Sequence, residues 1–210
     1  MRSRVIRSME FFNASKEIER KRRRLPHWQQ GQVAVFVTFR LSDSLPRHIM
    51  EPWLLARKQF MAIHPLPWDE LAESLYHREF SISMQQHLDA GHGCCALRSP
   101  EIAKTVADRL HYFDGQCYRL LSYVVMPNHV HVLLTLEAGE SLSAILRGWK
   151  GVSSRLIHKA GLSALNPFWQ REYFDRLIRS PEHLTKVSGY IRENPVTARL
   201  RKSEFVYWER

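Results

Sequence analysis

Val124-Val125-Met126-Pro127-Asn128-His129-Val130-His131-Val132-Leu133-Leu134 is an apolar run broken only by a Pro-Asn pair and by two histidines one residue apart. Side chains alternate faces along a strand, so His129 and His131 point one way while Val130 and Val132 point the other. Tyr118 to Met126 and His129 to Leu136 read as two strands joined across Pro127-Asn128, with the histidines opening the second. Two imidazoles on one face suit a metal ion, yet a sheet also carries histidine pairs on a solvated face without chemistry. The pair alone leaves both arrangements open.

A second segment, Gly189-Tyr190-Ile191-Arg192-Glu193-Asn194-Pro195-Val196, weighs the balance. Tyr190 and Asn194 stand four apart, so on a helix they share a face, a phenol nucleophile beside a neutral oxygen ligand. A residue before proline is pushed out of helical geometry, so Asn194 also suits a helix C-cap.

Around these two segments the order of elements is legible. Val33 to Leu41 is rich in β-branched and aromatic residues and reads as a strand ended by Ser42-Asp43-Ser44. Helical stretches follow over Arg47 to Ile63 and Asp69 to Leu88, and Gly91-His92-Gly93 breaks the chain. Ser99-Pro100-Glu101 opens a helix reaching about Phe113, and Ser141 to Ala160 carries Leu142, Ile145, Leu146 and Trp149 on one stripe. Phe168 to Ile178 is ambiguous between strand and loop. Ser180-Pro181-Glu182 opens the last helix, which is expected to end near Arg192. Strand, helices, two strands, helix, strand and helix predict an α+β fold, a ferredoxin-like split βαβ antiparallel sheet with helices on one face. Residues 43 to 98 form a helical elaboration after the first strand.

Composition narrows the partners. The 210 residues hold 44% hydrophobic and 25% charged side chains, an ordinary globular balance. No apolar run approaches a membrane span and no secretory signal opens the chain, so a cytoplasmic protein with no membrane association is expected. Cys94, Cys95 and Cys117 form neither a disulfide framework nor a zinc ribbon and receive no function. The net charge of +10 is what a phosphate-rich partner calls for. Nine Lys or Arg against three Glu lie before residue 25, including Arg20-Lys21-Arg22-Arg23-Arg24. This basic arm, residues 1–24, reads either as phosphate contacts or as a solvated segment. Arg147, Lys150 and Arg171 are further candidates for phosphate contacts. Tryptophans beside basic residues, as in His27-Trp28 and Phe168-Trp169-Gln170-Arg171, suit stacking on single strands or burial in the core, and Trp149 fits the core better.

Met126-Pro127-Asn128-His129-Val130-His131, followed by Tyr190-Ile191-x-x-Asn194-Pro195-Val196, resembles the single-tyrosine transposases of the His-hydrophobic-His nuclease superfamily, most closely the REP-associated tyrosine transposases. Leu25-Pro26-His27-Trp28, Val37 to Leu41, Asp89-Ala90-Gly91-His92-Gly93 and Phe168 to Asp175 support the likeness over residues 25–200, leaving 201–210 as a C-terminal tail. The resemblance implies cleavage and rejoining of single-stranded DNA at or beside a hairpin such as a REP palindrome. Tyr190 would be the nucleophile, forming a 5′-phosphotyrosine, with Mg²⁺ or Mn²⁺ held by His129, His131 and Asn194. Asn194 stands where related transposases carry glutamine. No nucleotide cofactor is expected, and the protein would act as a monomer or homodimer.

Four alternatives stay open. Tyr173, in polar surroundings, rivals Tyr190. A replication- or transfer-type nickase shares the same chemistry, and a DNA-binding regulator would lack it. The Asp89 to Gly93 segment reads equally as a DNA contact or a glycine-rich connector. Where relatives commonly carry Gly, this chain has Arg199, which would cost on the order of 1 kcal/mol if the backbone there is left-handed.

Overall fold

A computed structural model describes residues 10–13, 19–22, 26–65, 68 and 70–210. Arg23 and Arg24 of the basic arm lie outside the described residues. Residues 19–22 form strand β1 (Glu19–Arg22), paired antiparallel with β2 (Pro26–Gln29).

The central sheet grows from the alternation read in the histidine segment. β3 (Val35–Arg40), β4 (Tyr118–Val125), β5 (His129–Leu136), β6 (Phe174–Leu177) and β7 (Val206–Glu209) lie in the order β6-β3-β5-β4-β7, every pairing antiparallel. β3 and β4 therefore run parallel with β5 between them, and β5 and β6 run parallel with β3 between them. These are two interleaved split βαβ units. β4 and β5 are joined through Pro127-Asn128, where the Met126 amide donates to the His129 carbonyl at 2.8 Å. Residues 201–210, read from sequence as a tail, supply β7, which covers the β4 edge.

α4 (Pro100–His111) and α5 (Leu142–Lys159), together with α1 (Arg47–Ile63), α2 (Glu70–Tyr76) and α3 (Ile82–Asp89), match their sequence readings closely. A π-helical turn, His77–Ser81, runs between α2 and α3. Val35, Val37 and Phe39 of β3 and Val130, Val132 and Leu134 of β5 pack with Ile102, Val106 and Leu110 of α4 and with Leu146 and Trp149 of α5. The opposite face presents Val124 and Leu133 to Leu184 and Ile191 of α6 (Pro181–Thr197). The two crossover helices thus share one face as expected, while α6 lies over the face that carries the histidines. The elaboration has its own core of Trp53, Phe60, Phe80, Met84 and Leu88, with Phe174 of β6 packed against it.

α6 runs five residues past its expected end, through Pro195. The Ser180 hydroxyl accepts from the His183 amide at its start. At its end the Ala198, Arg199 and Leu200 amides donate to the Asn194, Val196 and Pro195 carbonyls. The last two bonds form a Schellman closure, which needs one left-handed residue, and Arg199 supplies it with φ of 53°. Ala198, not Asn194, is the C-cap, so Asn194 stays inside the helix, where it is 2% exposed.

Candidate functional site

Each histidine is fixed from behind. His129 Nδ1 lies 2.7 Å from Asn128 Oδ1, and the Asn128 amide nitrogen donates to the Leu88 and His92 carbonyls, both at 3.1 Å. With the Asn128 amide so oriented, its oxygen accepts from His129 Nδ1–H and leaves a lone pair on Nε2. Asn128 also ties the end of α3 to the histidine strand. His131 Nδ1 lies 2.7 Å from Thr38 Oγ1, on the neighbouring strand β3.

The two Nε2 atoms stand 3.0 Å apart, and His131 Nε2 is 3.1 Å from Tyr190 Oη. The Asn194 side-chain amide donates to the same phenol oxygen. With each Nδ1 engaged behind its ring, both Nε2 atoms can turn a lone pair toward the space between them, an arrangement that suits a cation there. Burial alone drives His129 down to about 3, and burial followed by the His129 ring holds His131 well below the ordinary histidine range. Both imidazoles are therefore neutral at pH 7, the form that ligates metals. Burial, then the Asp89 carboxylate, pushes the Tyr190 phenol well above its usual value.

The end of α3 closes the site. Gln85 Nε2 approaches His131 Nε2 at 3.4 Å, and Asp89, one turn later, places Oδ1 3.8 Å from His129 Nε2. Burial raises Asp89 to about 6, with the Asn194 amide pulling the other way. Asp89 Oδ1 and Asn194 Oδ1 are both buried without a hydrogen-bond partner. The connector beyond Asp89 is held tightly. Gly93 has φ of +85°, and a Cβ there would meet the Asp43 carbonyl oxygen at 2.6 Å. Asp43 Oδ2 also accepts from the Cys94 amide at 2.7 Å.

Among the described residues no three His, Cys, Asp or Glu side chains gather closely enough to form a ready metal cage. The donor set nonetheless fits a divalent ion. Ligands at ~2.1 Å and right angles to one another stand ~3.0 Å apart, and the two Nε2 atoms match that spacing at 3.0 Å. The buried Asn194 oxygen, which has no hydrogen-bond partner, would add a third, oxygen donor.

Beside Tyr190 and His131 lies a cleft of about 820 Å³, walled by α3, β6 and α6. Arg57, Arg176, Arg179 and Lys186 line it, with Phe36 and Tyr76 among its aromatic walls. His183 is held at about 4 by burial and then by Arg176, Arg179, His77 and Lys186, and the cations of the wall outnumber its acidic residues, Asp175 and Glu182. None of these cations was singled out from sequence, although Lys186 stands four residues before Tyr190 and so shares its face of α6.

The cations that sequence did single out lie elsewhere. Arg147 is exposed on α5, and Lys150 donates to the Arg171 carbonyl at 2.8 Å, so Lys150 and Arg171 meet each other but do not line the cleft. The backbones of Arg20, Lys21 and Arg22 lie in β1. Trp149 and Trp169 are 5% and 6% exposed and donate to Tyr118 Oη and Ser153 Oγ, which makes them core residues and not stacking platforms. Tyr173 is 4% exposed within the main core. Asn128, Thr38 and Gln85 were not read as site residues, and Asp89 was read only within a segment that suited a DNA contact and a connector equally. The i, i+4 spacing of Gln85 and Asp89 was the available signal.

Residues 98–194 match the family described as IS200-like transposase. No curated protein matches the chain. Among solved structures, the chain is similar to a REP-associated tyrosine transposase bound to a REP hairpin, with 21% identity, 80% of this chain and 69% of that one covered, and a TM-score of 0.40. It is also similar to a candidate transposase from Deinococcus radiodurans R1, with 13% identity, 89% and 98% covered, and a TM-score of 0.40. No helix among the described residues is long and apolar enough to cross a membrane.

Proposed function

We propose that this chain is an IS200-like transposase, an enzyme that acts on DNA, and that Tyr190 is the nucleophile that cleaves and rejoins a single DNA strand; the match of residues 98–194 to that family supports the reading. The observation that carries this reading is the contact of Tyr190 Oη with both His131 Nε2 and the Asn194 amide. A phosphodiester repels nucleophiles through its charged oxygens, so attack needs an activated oxygen and charge neutralisation at phosphorus. Tyr190 attacks the phosphorus, the Oη–P bond forms and the bond from phosphorus to the 3′ oxygen breaks. The products are a 5′-phosphotyrosine and a 3′-hydroxyl. The phenol proton is lost to solvent, because the lone pair of His131 Nε2 would be committed to the metal, and a proton from solvent is returned to the departing 3′ oxygen.

Asn194 orients the phenol oxygen from the other side. Mg²⁺ or Mn²⁺, held by His129, His131 and the Asn194 oxygen, would supply the positive charge that the developing phosphorane needs and that neutral imidazoles lack. Since the covalent linkage retains the energy of the cleaved bond, the reverse attack by a 3′-hydroxyl rejoins DNA without a nucleotide cofactor.

Arg176, Arg179 and Lys186 are the phosphate contacts nearest the nucleophile, and Arg20 to Arg24, Arg147, Lys150 and Arg171 extend the footprint. The aromatic walls of the cleft suit unstacked bases, which favours single-stranded DNA at or beside a hairpin.

The test is incubation of the full chain with a single-stranded hairpin oligonucleotide and Mg²⁺ or Mn²⁺, followed by denaturing electrophoresis. A 3′ label should travel with the protein, while a 5′ label should be released on a fragment ending in a 3′-hydroxyl. Cleavage that leaves no label on the protein would overturn the reading.

A further inference from the structure

α3 belongs to the helical elaboration, yet its final turn faces the histidines. Asp89 Oδ1 lies 3.8 Å from His129 Nε2, is buried, and accepts no hydrogen bond. Asn194, 2% exposed, likewise holds Oδ1 buried and unpartnered. A buried carboxylate oxygen without a donor is costly unless a cation meets it. Nothing cationic among the neighbours described does so. The Asn194 amide, which donates to Tyr190, is neutral.

Two imidazoles and an amide would leave a divalent ion with both charges uncompensated in a buried site. Mg²⁺ and Mn²⁺ are hard cations that favour charged oxygen ligands. Two ligands of one ion at ~2.1 Å stand between ~3.0 Å and ~4.2 Å apart as their angle opens from right-angled to linear. The 3.8 Å between Asp89 Oδ1 and His129 Nε2 falls inside that range. The Asn128 clamp on the Leu88 and His92 carbonyls fixes the backbone on both sides of Asp89 and so keeps its carboxylate within reach of the histidines.

We infer that Asp89, contributed by the elaboration, is the anionic ligand of the divalent cation in the His129, His131 and Asn194 site. The inference rests on the metal site proposed above and adds a carboxylate to it. It follows that the elaboration completes the catalytic centre.

The experiment measures Mn²⁺ binding to the full chain without DNA, from the free-ion signal in electron paramagnetic resonance, for the parent, Asp89→Asn and His131→Ala. Thermal melting of each follows with Mn²⁺ and with chelator. Asp89→Asn keeps the shape and removes the charge. It should weaken Mn²⁺ on the order of tenfold or more, lose most of the metal-dependent rise in Tm, and melt in chelator no lower than the parent. Unchanged Mn²⁺ affinity in Asp89→Asn, with binding abolished in His131→Ala, would overturn the role of Asp89 and leave the metal site standing. Unchanged binding in both variants would overturn the metal site itself, and the inference with it. A marked drop of the Asp89→Asn melting temperature in chelator would assign the carboxylate a structural role and also overturn the inference.

Discussion

Acid should unfold this protein through its buried histidines, and His129 gives the size of the effect. The ring is 1% exposed and burial holds it near 3, while an unfolded histidine titrates at ~6.5. The depressed folded value means that full stability is present above ~6.5 and is lost as pH falls toward the folded value. Between pH 7 and pH 5 the unfolded chain takes up a proton at this position and the folded chain does not. That costs about 2 kcal/mol. His131 acts in the same direction. Asp89 opposes both, because its raised value of about 6 lets the folded form bind a proton first, a gain of about 1 kcal/mol over the same interval. Comparing the parent with His129→Gln in chelator removes the contributions common to both. The fall in melting temperature from pH 7 to pH 5 should be smaller in the variant by roughly 4 to 8 °C for a chain of this size. Equal falls in the two proteins would refute the claim that His129 is held neutral by burial.

Other expectations follow from single contacts. Arg199 occupies a left-handed position at φ of 53°, so Arg199→Gly should stabilise the fold by about 1 kcal/mol in urea titration; a neutral or destabilising result would mean the Schellman closure carries no strain. Gly93→Ala forces a Cβ against the Asp43 backbone and should destabilise by about 2 kcal/mol or more, measured the same way. A loss below experimental error would show that the connector moves freely. Arg179→Ala and Lys186→Ala should each reduce the salt slope of log affinity for single-stranded DNA by about 0.7, read by fluorescence anisotropy. Unchanged slopes would remove the cleft wall from the binding surface.

Much of this was legible before the structure. The alternation of Val130, Val132 and Leu134 with His129 and His131 sets which face of β5 is core, and the four-residue spacing of Tyr190 and Asn194 puts both on one side of α6. The end of α6 was misread because the restriction before Pro195 was given more weight than the closure made by Ala198, Arg199 and Leu200, which only tertiary packing of Ile191 and Pro195 sustains. β7 escaped notice because four residues at a sheet edge carry little periodic signal. The cations of the cleft were missed for a different reason. Arg57, Arg176 and Lys186 are scattered through the chain and meet only when α1, β6 and α6 are packed, whereas the Arg20 to Arg24 run is conspicuous by local density. Asp89 lies in a segment that reads equally as a DNA contact or a connector, and nothing local announces that Asn128 will fasten it beside His129.

The central claim is that Tyr190 forms the covalent bond to DNA. Trypsin digestion of the trapped protein–DNA adduct, with nuclease trimming and mass spectrometry, reads the attachment site directly. The nucleotide mass should sit on the peptide from Val187 to Arg192, and Tyr190→Phe should yield no adduct while still binding the hairpin. A nucleotide on the peptide from Glu172 to Arg176, with adduct persisting in Tyr190→Phe, would contradict the account and move the nucleophile to Tyr173.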